Sequence, residues 1–328
     1  MQTMKQVIVN EFGGPEKLIS HDVPMPSAGD GQIVIKVEAS GVNFSDGMQR
    51  RNKYVFPVSL PYLPGFEVAG IVTELGKGVE NISLRDRVVA MLPGGGGYAQ
   101  YAVTPSYSAT VIPPTISAQE SLALQVQGTT AYLLLKDGAK IQSGQTVLIH
   151  AAAGGVGTLL VQIAKQMGAG KIIATGSNVE KLAVAKSLGA DELINYTESD
   201  WAQKVNDATG GKGVDLILDA TGGEILRNSF SCLAPFGRLI SYGNPSGGST
   251  SIEAFILVNN NQILQGFGLA SYFGKPDLMQ ETYQYLFSQA ATGKLKVHIG
   301  QTFPLKDAAE AHRQMENRKT TGKIVLIP

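Results

Sequence analysis

The stretch HAAAGGVGTLLVQIAKQMGA, His150 to Ala169, decides the fold of this chain. The apolar run TVLIHA, Thr146 to Ala151, leads into it and predicts a short buried strand. Beyond the turn, apolar residues recur at the spacing of a helix that lays one face on a sheet; they are Val156, Leu159, Leu160, Ile163, Ala164 and Met167. Strand, turn and helix therefore form one βα unit.

The turn itself has a spacing that carries chemistry. It reads Ala152, Ala153, Gly154, Gly155, Val156 and Gly157, which is a G-x-G-x-x-G frame with alanine in its first place. Small residues leave room for a pyrophosphate, the helix start presents backbone N–H groups, and the last glycine allows close packing of helix on strand. Such a turn can also be only a tight corner. Its place between strand and helix, with a second βα unit following, favours a dinucleotide site.

The rest of the chain divides into three parts. Residues 1–124 contain short β-prone runs between Pro and Gly clusters, which predicts a β-rich domain. Residues 125–262 alternate strands and amphipathic helices, which predicts a doubly wound parallel sheet; its candidate strands are TVLIHA, KIIAT, ELINY, VDLILDA and RLISYG, with a possible sixth at QILQGF. Residues 263–328 end in KIVLIP, a strand that we expect to rejoin the first domain. The predicted class is α/β.

Bulk composition excludes several classes of protein. The chain has 328 residues, enough for two domains, and its 27 basic and 27 acidic residues give a formal net charge of zero. This balance disfavours nucleic acid and membrane surfaces as partners, and no run is long enough to span a membrane. The single cysteine, Cys232, permits no internal disulfide, and the four histidines are scattered. We therefore expect a cytoplasmic protein with no bound metal.

The end of the second strand of the parallel sheet indicates which dinucleotide binds. An NAD site usually has a carboxylate there for the ribose hydroxyls. This chain reads Gly176, Ser177, Asn178, with no carboxylate before Glu180, and Lys181 follows. A hydroxyl, an amide and an ammonium together suit a 2′-phosphate, so the pattern predicts NADPH. Ser177 and Glu180 also match a helix capping box, and both interpretations can hold together.

Several motifs together resemble a known family. SGVNFSDGMQRRNKY, PGFEVAGIV, QGTTAY, HAAAGGVG and ENRKTTGKIVLIP are similar to the zinc-independent quinone oxidoreductases, the zeta-crystallin-like branch of the medium-chain dehydrogenase/reductase superfamily. The resemblance implies a GroES-like catalytic domain formed by the first and last parts, an inserted Rossmann domain, bound NADPH, and a homodimer joined near Gln262 to Leu269. It further implies three groups of site residues: Asn43, Asp46 and Tyr54 with Thr130 at the nicotinamide and substrate end, Lys181, Tyr196 and Arg318 around the 2′-phosphate, and Asn244 near the nicotinamide.

The zinc-dependent relatives of that family provide a contrast. They have Cys where this chain has Asn43 and His-Glu where it has Phe66-Glu67, so the resemblance implies a metal-free site. Without a Lewis acid, hydride transfer suits a conjugated acceptor, a quinone or an enone, which spreads the incoming charge. Tyr54 is the candidate proton donor, with water as the alternative and simple aromatic packing as another role for Tyr54. A protein that binds NADPH with little turnover is the alternative of another class. Met48 replaces the aromatic residue of some relatives, which leaves the choice between quinone and enone open.

Overall fold

A computed structural model describes residues 2–245 and 250–328, which fold as two units. The first unit comprises residues 2–126, 287–292 and 297–328, and the second comprises residues 127–286 and 293–296. The predicted boundary at residue 262 falls inside the second unit, directly before the last strand of its sheet.

The bounds of the regular elements are as follows. The strands are β1 (Thr3–Ile8), β2 (Ile19–Pro24), β3 (Gln32–Val42), β4 (Glu67–Leu75), β5 (Arg87–Met91), β6 (Tyr101–Pro105), β7 (Ala109–Val111), β8 (Thr146–Ile149), β9 (Lys171–Gly176), β10 (Glu192–Asn195), β11 (Val214–Asp219), β12 (Leu233–Ser241), β13 (Ile263–Gly266), β14 (Ile299–Pro304) and β15 (Lys323–Ile327). The α-helices are α1 (Phe44–Arg50), α2 (Ala118–Leu122), α3 (Thr129–Leu133), α4 (Gly155–Gln166), α5 (Val179–Ser187), α6 (Trp201–Ala208), α7 (Gly223–Ser229), α8 (Pro276–Ala291) and α9 (Ala308–Glu316). Short 3₁₀ segments lie at Pro15–Lys17, Ser106–Ser108, Phe230–Cys232, Ala254–Leu257, Leu269–Tyr272 and Leu305–Asp307, and π-helical turns at Ala123–Gly128 and Leu134–Ala139.

The second unit is built on a six-stranded sheet of order β10-β9-β8-β11-β12-β13. Every neighbouring pair is parallel, so each strand needs a crossover connection, and the sheet order reverses direction beside β8. The strands read as continuous apolar runs because both faces are covered. Leu148, Ile173, Ile217 and Leu239 belong to one core cluster of this unit. The predicted doubly wound parallel sheet is confirmed, including its sixth strand.

The first unit is mainly antiparallel. Its seven-stranded sheet follows the path β14-β15-β3-β4-β5-β7, with β6 paired to β3 off that path, and β1 and β2 form a separate two-stranded sheet. Strand β15 pairs antiparallel with β3 through Ile324 and Val42, so the end of the chain returns to the first unit as predicted. This return places residues more than 250 positions apart side by side.

Two features of the helices bear on the site. Helix α1 begins directly after β3, and its cap residue Asn43 is in an extended conformation. Two π-helical turns flank α3, one at Ala123–Gly128 and one at Leu134–Ala139, a local irregularity that often accompanies functional sites. Among the described residues, no helix is both long and apolar enough to cross a membrane.

Candidate functional site

The glycine turn lies at the carboxyl end of β8, where the sheet order reverses. Its last glycine meets a strict steric requirement: a Cβ on Gly157 would stand 2.4 Å from the Ala151 carbonyl oxygen and 2.8 Å from the Ala152 Cα. Any side chain here would push α4 off the end of the strand. Helix α4 begins at Gly155, and its cap residue Gly154 offers no side chain to bond the first N–H groups. These N–H groups are suited to an anionic ligand.

Sequence reasoning missed a side chain that packs on this turn. The carboxamide of Gln127 lies so close to Gly155 that a Cβ there would come within 2.2 Å of the Gln127 Nε2 atom. The Gln127 Oε1 atom is buried and has no hydrogen-bond partner among the described residues. Gln127 is the first residue of the motif QGTTAY. Nothing in the sequence indicates that its side chain lies against the glycine turn.

His150 supports the turn from below without facing a ligand. Its ring is fully buried, with Nδ1 2.8 Å from the Thr175 hydroxyl and Nε2 2.9 Å from the Ser229 hydroxyl. The ring edge also packs against Trp201, with centroids 5.3 Å apart. Burial lowers the pKa of His150 to about 4, so the imidazole is neutral near pH 7.

The end of β9 contains the residues predicted to distinguish the two dinucleotides. Lys181 Nζ donates to the Ser177 hydroxyl at 3.3 Å, so a cation and a hydroxyl stand together. The capping-box interpretation of Ser177 and Glu180 is wrong: Asn178 is the cap, and its side chain accepts from the Lys181 N–H at 2.9 Å. Asn178 directly precedes the first helical residue in extended backbone, so its side-chain oxygen lies within reach of that N–H and Ser177 stays outside the helix.

The remaining predicted cofactor residues are distributed over both units. Thr130 lies in α3 between the two π-helical turns, and Tyr196 follows β10, with its backbone N–H bonded to the Gly176 carbonyl at 3.1 Å. Asn244 is exposed and follows β12. Arg318 belongs to the first unit, where it is exposed just after α9 in the left-handed region at φ 57°.

In the first unit, Asn43 and Asp46 lie together at the start of α1. The Asp46 carboxylate accepts the backbone N–H of Asn43 at 2.9 Å and the Tyr98 hydroxyl at 3.0 Å. Asp46 is fully buried, and burial raises its pKa to about 6 against the opposing effect of these hydrogen bonds. Asp46 therefore fixes the loop that carries Asn43 rather than facing solvent itself.

The hydrogen-bond network continues from Asp46 through Tyr98 to a second buried histidine. The Tyr98 hydroxyl lies 2.9 Å from His312 Nε2. Because Tyr98 donates to Asp46, this contact requires the neutral His312 tautomer with its proton on Nε2. Burial, with the nearby Arg50 and Arg51 guanidinium groups, lowers the pKa of His312 to about 3.

A buried ion pair stands on the other side of Asn43. The Glu67 carboxylate and the Lys323 ammonium are bonded to each other, and both side chains are completely buried. Glu67 Oε1 accepts from Asn43 Nδ2 at 2.7 Å, and Lys323 Nζ donates to Asn43 Oδ1 at 3.1 Å. Sequence reasoning did not identify this pair because its members are separated by 256 positions.

Tyr54 lies on the loop after α1 and is 36% exposed. Its ring packs edge-on against Phe56 at a centroid distance of 5.7 Å. Burial raises the pKa of Tyr54, and the Asp46 carboxylate adds to that effect. A raised pKa makes the phenol a weaker acid, so packing is the role of Tyr54 that the geometry shows, and proton donation stays a prediction.

Comparisons with known proteins cover the whole chain. Residues 29–114 match the family described as alcohol dehydrogenase GroES-like domain, and residues 188–326 match the family described as zinc-binding dehydrogenase. The chain is 35% identical to a 2-haloacrylate reductase of Burkholderia sp, with 98% of each protein covered. It is also 35% identical to quinone oxidoreductase 1 of Escherichia coli strain K12, over 97% of this chain and 98% of the other.

A solved structure of a quinone oxidoreductase also matches this chain. The crystal structure of Escherichia coli quinone oxidoreductase complexed with NADPH superposes with a TM-score of 0.93 at 35% identity. The match covers 99% of this chain and 100% of the other, so both units have counterparts there.

The residues present do not fit the zinc in the second family description. Within residues 2–245 and 250–328, no three His, Cys, Asp or Glu side chains converge on a point that could hold a metal ion. The carboxylate nearest Asn43 is Glu67, which is already paired with Lys323. Cys232 is buried in the second unit, and burial raises the pKa of its thiol to about 12, far from a thiolate ligand.

Proposed function

We propose that this chain, which belongs to the quinone oxidoreductases of the medium-chain dehydrogenase/reductase superfamily, is an NADPH-dependent oxidoreductase that reduces a conjugated acceptor without a metal ion. The observation that carries the cofactor assignment is the Lys181–Ser177 pair at the end of β9, beside the glycine turn. A carboxylate at this place would repel a 2′-phosphate, whereas an ammonium and a hydroxyl bind one. NADPH, when bound, supplies the hydride.

The predicted cofactor residues divide among three parts of NADPH: the pyrophosphate, the 2′-phosphate and the nicotinamide. The turn from Ala152 to Gly157 presents backbone N–H groups to the pyrophosphate. The 2′-phosphate contacts are assigned to Ser177, Lys181, Tyr196 and Arg318, and the nicotinamide contacts to Thr130 and Asn244.

The donor set around Asn43 supports a conjugated acceptor. Hydride addition to a simple ketone creates a localised alkoxide, which needs a metal ion or a positioned acid. The first unit offers an amide at Asn43, a buried Asp46 and a Tyr54 with raised pKa, none of which is a strong acid. Asn43 is assigned a hydrogen bond to the acceptor, Asp46 holds Asn43, and water or Tyr54 supplies the proton.

A quinone is the proposed acceptor, and an enone or acrylate is the second candidate. The quinone oxidoreductase relatives support the first, whereas the 2-haloacrylate reductase, at the same 35% identity, supports the second. The two acceptors share a carbonyl oxygen conjugated to the carbon that receives hydride.

Cofactor preference tests the assignment directly. We expect NADPH to bind more tightly than NADH in fluorescence titrations, and Ser177→Asp to shift the preference toward NADH by about tenfold or more, since a carboxylate repels the 2′-phosphate. Ser187→Asp adds the same charge at the other end of α5 and is the control. Equal dissociation constants for the two cofactors in the wild type would count against NADPH.

A panel of acceptors tests the reaction. With NADPH, we expect turnover of 9,10-phenanthrenequinone or a small enone and little turnover of a saturated ketone. Fastest turnover of the saturated ketone would contradict the proposed chemistry. NADPH oxidation no faster than the buffer control with all acceptors would favour a binding protein with little turnover.

The edge of the parallel sheet supports the predicted homodimer. Among the strands of the described residues, β13 pairs only with β12, and its Ile263 and Leu264 are 42% and 38% exposed. An apolar edge strand is suited to pairing with a second copy. Light scattering should give twice the 34.7 kDa of one chain, and a monomer mass would reject the dimer.

A further inference from the structure

The Asn43 carboxamide is held at both ends by one buried ion pair. Its Nδ2 donates to Glu67 Oε1 at 2.7 Å, and its Oδ1 accepts from Lys323 Nζ at 3.1 Å. Glu67 lies at the start of β4, Lys323 lies at the start of β15, and Asn43 is the cap of α1. Three separate parts of the chain therefore meet at one amide.

The charges allow only one orientation of that amide. A flipped carboxamide would turn its oxygen toward the Glu67 carboxylate and its NH₂ toward the Lys323 ammonium, and both contacts would be repulsive. In the observed orientation, one N–H of the Asn43 amide remains after its bond to Glu67. The ammonium on Oδ1 also draws electron density from the amide, which strengthens the remaining N–H as a donor.

Exposure shows which member of the trio can meet a ligand. Glu67 and Lys323 are both 0% exposed, whereas Asn43 retains 8%. The ion pair therefore cannot contact a ligand itself, and Asn43 is the member of the trio that can. A buried ion pair is also a costly way to stabilise a core, since apolar residues of similar volume often serve as well.

We propose that Glu67 and Lys323 are positioning residues that present the Asn43 N–H to the carbonyl oxygen of the acceptor. This inference rests on the proposed function, in which Asn43 lies at the substrate end. As the acceptor carbon receives the hydride and its electron pair, negative charge moves onto the conjugated carbonyl oxygen. The Asn43 N–H stabilises that charge until water or Tyr54 supplies the proton.

The orientation can be measured without any ligand. In protein labelled with ¹⁵N-asparagine, the Asn43 side-chain resonances are identified by their loss in Asn43→Ala. We expect their protons to exchange with solvent at least ten times faster in Glu67→Gln/Lys323→Met, which removes both charges together and so avoids an unpaired buried ion. Lys136→Met, which breaks the exposed Lys136–Glu281 pair, is the control and should change nothing. Unchanged exchange in the double variant would overturn the proposal.

Kinetics then test whether the pair acts through Asn43. The double variant should lower kcat by about 10- to 100-fold, the range for losing a well-placed donor, and leave the NADPH dissociation constant within about twofold. Lys323→Arg keeps the cation and should recover most of the activity. In an Asn43→Ala background, the same double change should alter kcat less than about twofold.

The outcomes separate the two claims. An equal loss of kcat with and without Asn43 would show that the ion pair acts independently of the amide, which overturns the positioning role. If the wild type oxidises NADPH with none of the acceptors, the proposed function fails, and the exchange measurement still decides whether the pair orients Asn43.

Discussion

The glycine turn of the second unit and the polar cluster around Asn43 in the first are built on opposite principles. The turn depends on missing side chains, since a Cβ on Gly157 would overlap the Ala151 carbonyl oxygen at 2.4 Å. The cluster depends on side chains that are all present, because Lys323, Glu67 and Asn43 bond to one another and the two charged members are completely buried. The first is local along the chain, and the second joins residues up to 280 positions apart.

The largest expected effect breaks the cluster. Lys323→Met leaves the Glu67 carboxylate buried without its cation and should lower the free energy of unfolding by about 3–5 kcal/mol. Lys136→Met removes an exposed pair with Glu281 and should cost about 1 kcal/mol or less in urea unfolding followed by circular dichroism. Equal losses in the two variants would mean that the buried pair has no special role in stability.

The second-largest expected effect is a difference between the two units in how their stability depends on pH. His150 has a pKa of about 4 in the folded protein, below its ordinary 6.5, so the unfolded state binds more protons between these values. The contribution of His150 to the free energy of unfolding of the second unit should therefore be complete above pH 6.5. It should fall by about 3 kcal/mol as the pH drops toward 4. In the first unit, Asp46 with a raised pKa and His312 with a lowered one have opposite slopes that partly offset each other.

Trp201, the only tryptophan, reports on the second unit because its ring contacts His150. The urea midpoint followed by Trp201 fluorescence should fall between pH 6.5 and 4.5, and His150→Gln should reduce that fall. His21→Gln is the control and should leave the Trp201 transition as in the wild type. A midpoint that is independent of pH in the wild type would contradict the role given to His150.

The smallest expected effect on stability concerns the turn. Gly157→Ala forces a methyl group against backbone atoms and should cost about 1–3 kcal/mol. It should also weaken NADPH binding, since α4 must shift away from the end of β8. Gly274→Ala, where a Cβ would meet no atom within 4 Å, is the control. Wild-type NADPH affinity in Gly157→Ala would show that the turn does not depend on close packing of helix on strand.

The sequence by itself determined the parallel sheet, because periodic apolar runs and the glycine frame are patterns among neighbouring residues and can be recognised without the structure. It also determined that β15 rejoins the first unit, through the strand pattern of KIVLIP. It chose the wrong helix cap, Ser177 instead of Asn178, because two polar residues stood side by side and only backbone geometry separates them. Only the tertiary structure decided that Gln127 packs on Gly155 and that Lys323 and Glu67 form hydrogen bonds with Asn43. Those contacts depend on where distant strands meet, and pairing in a sheet leaves no mark on the spacing of the residues that it joins.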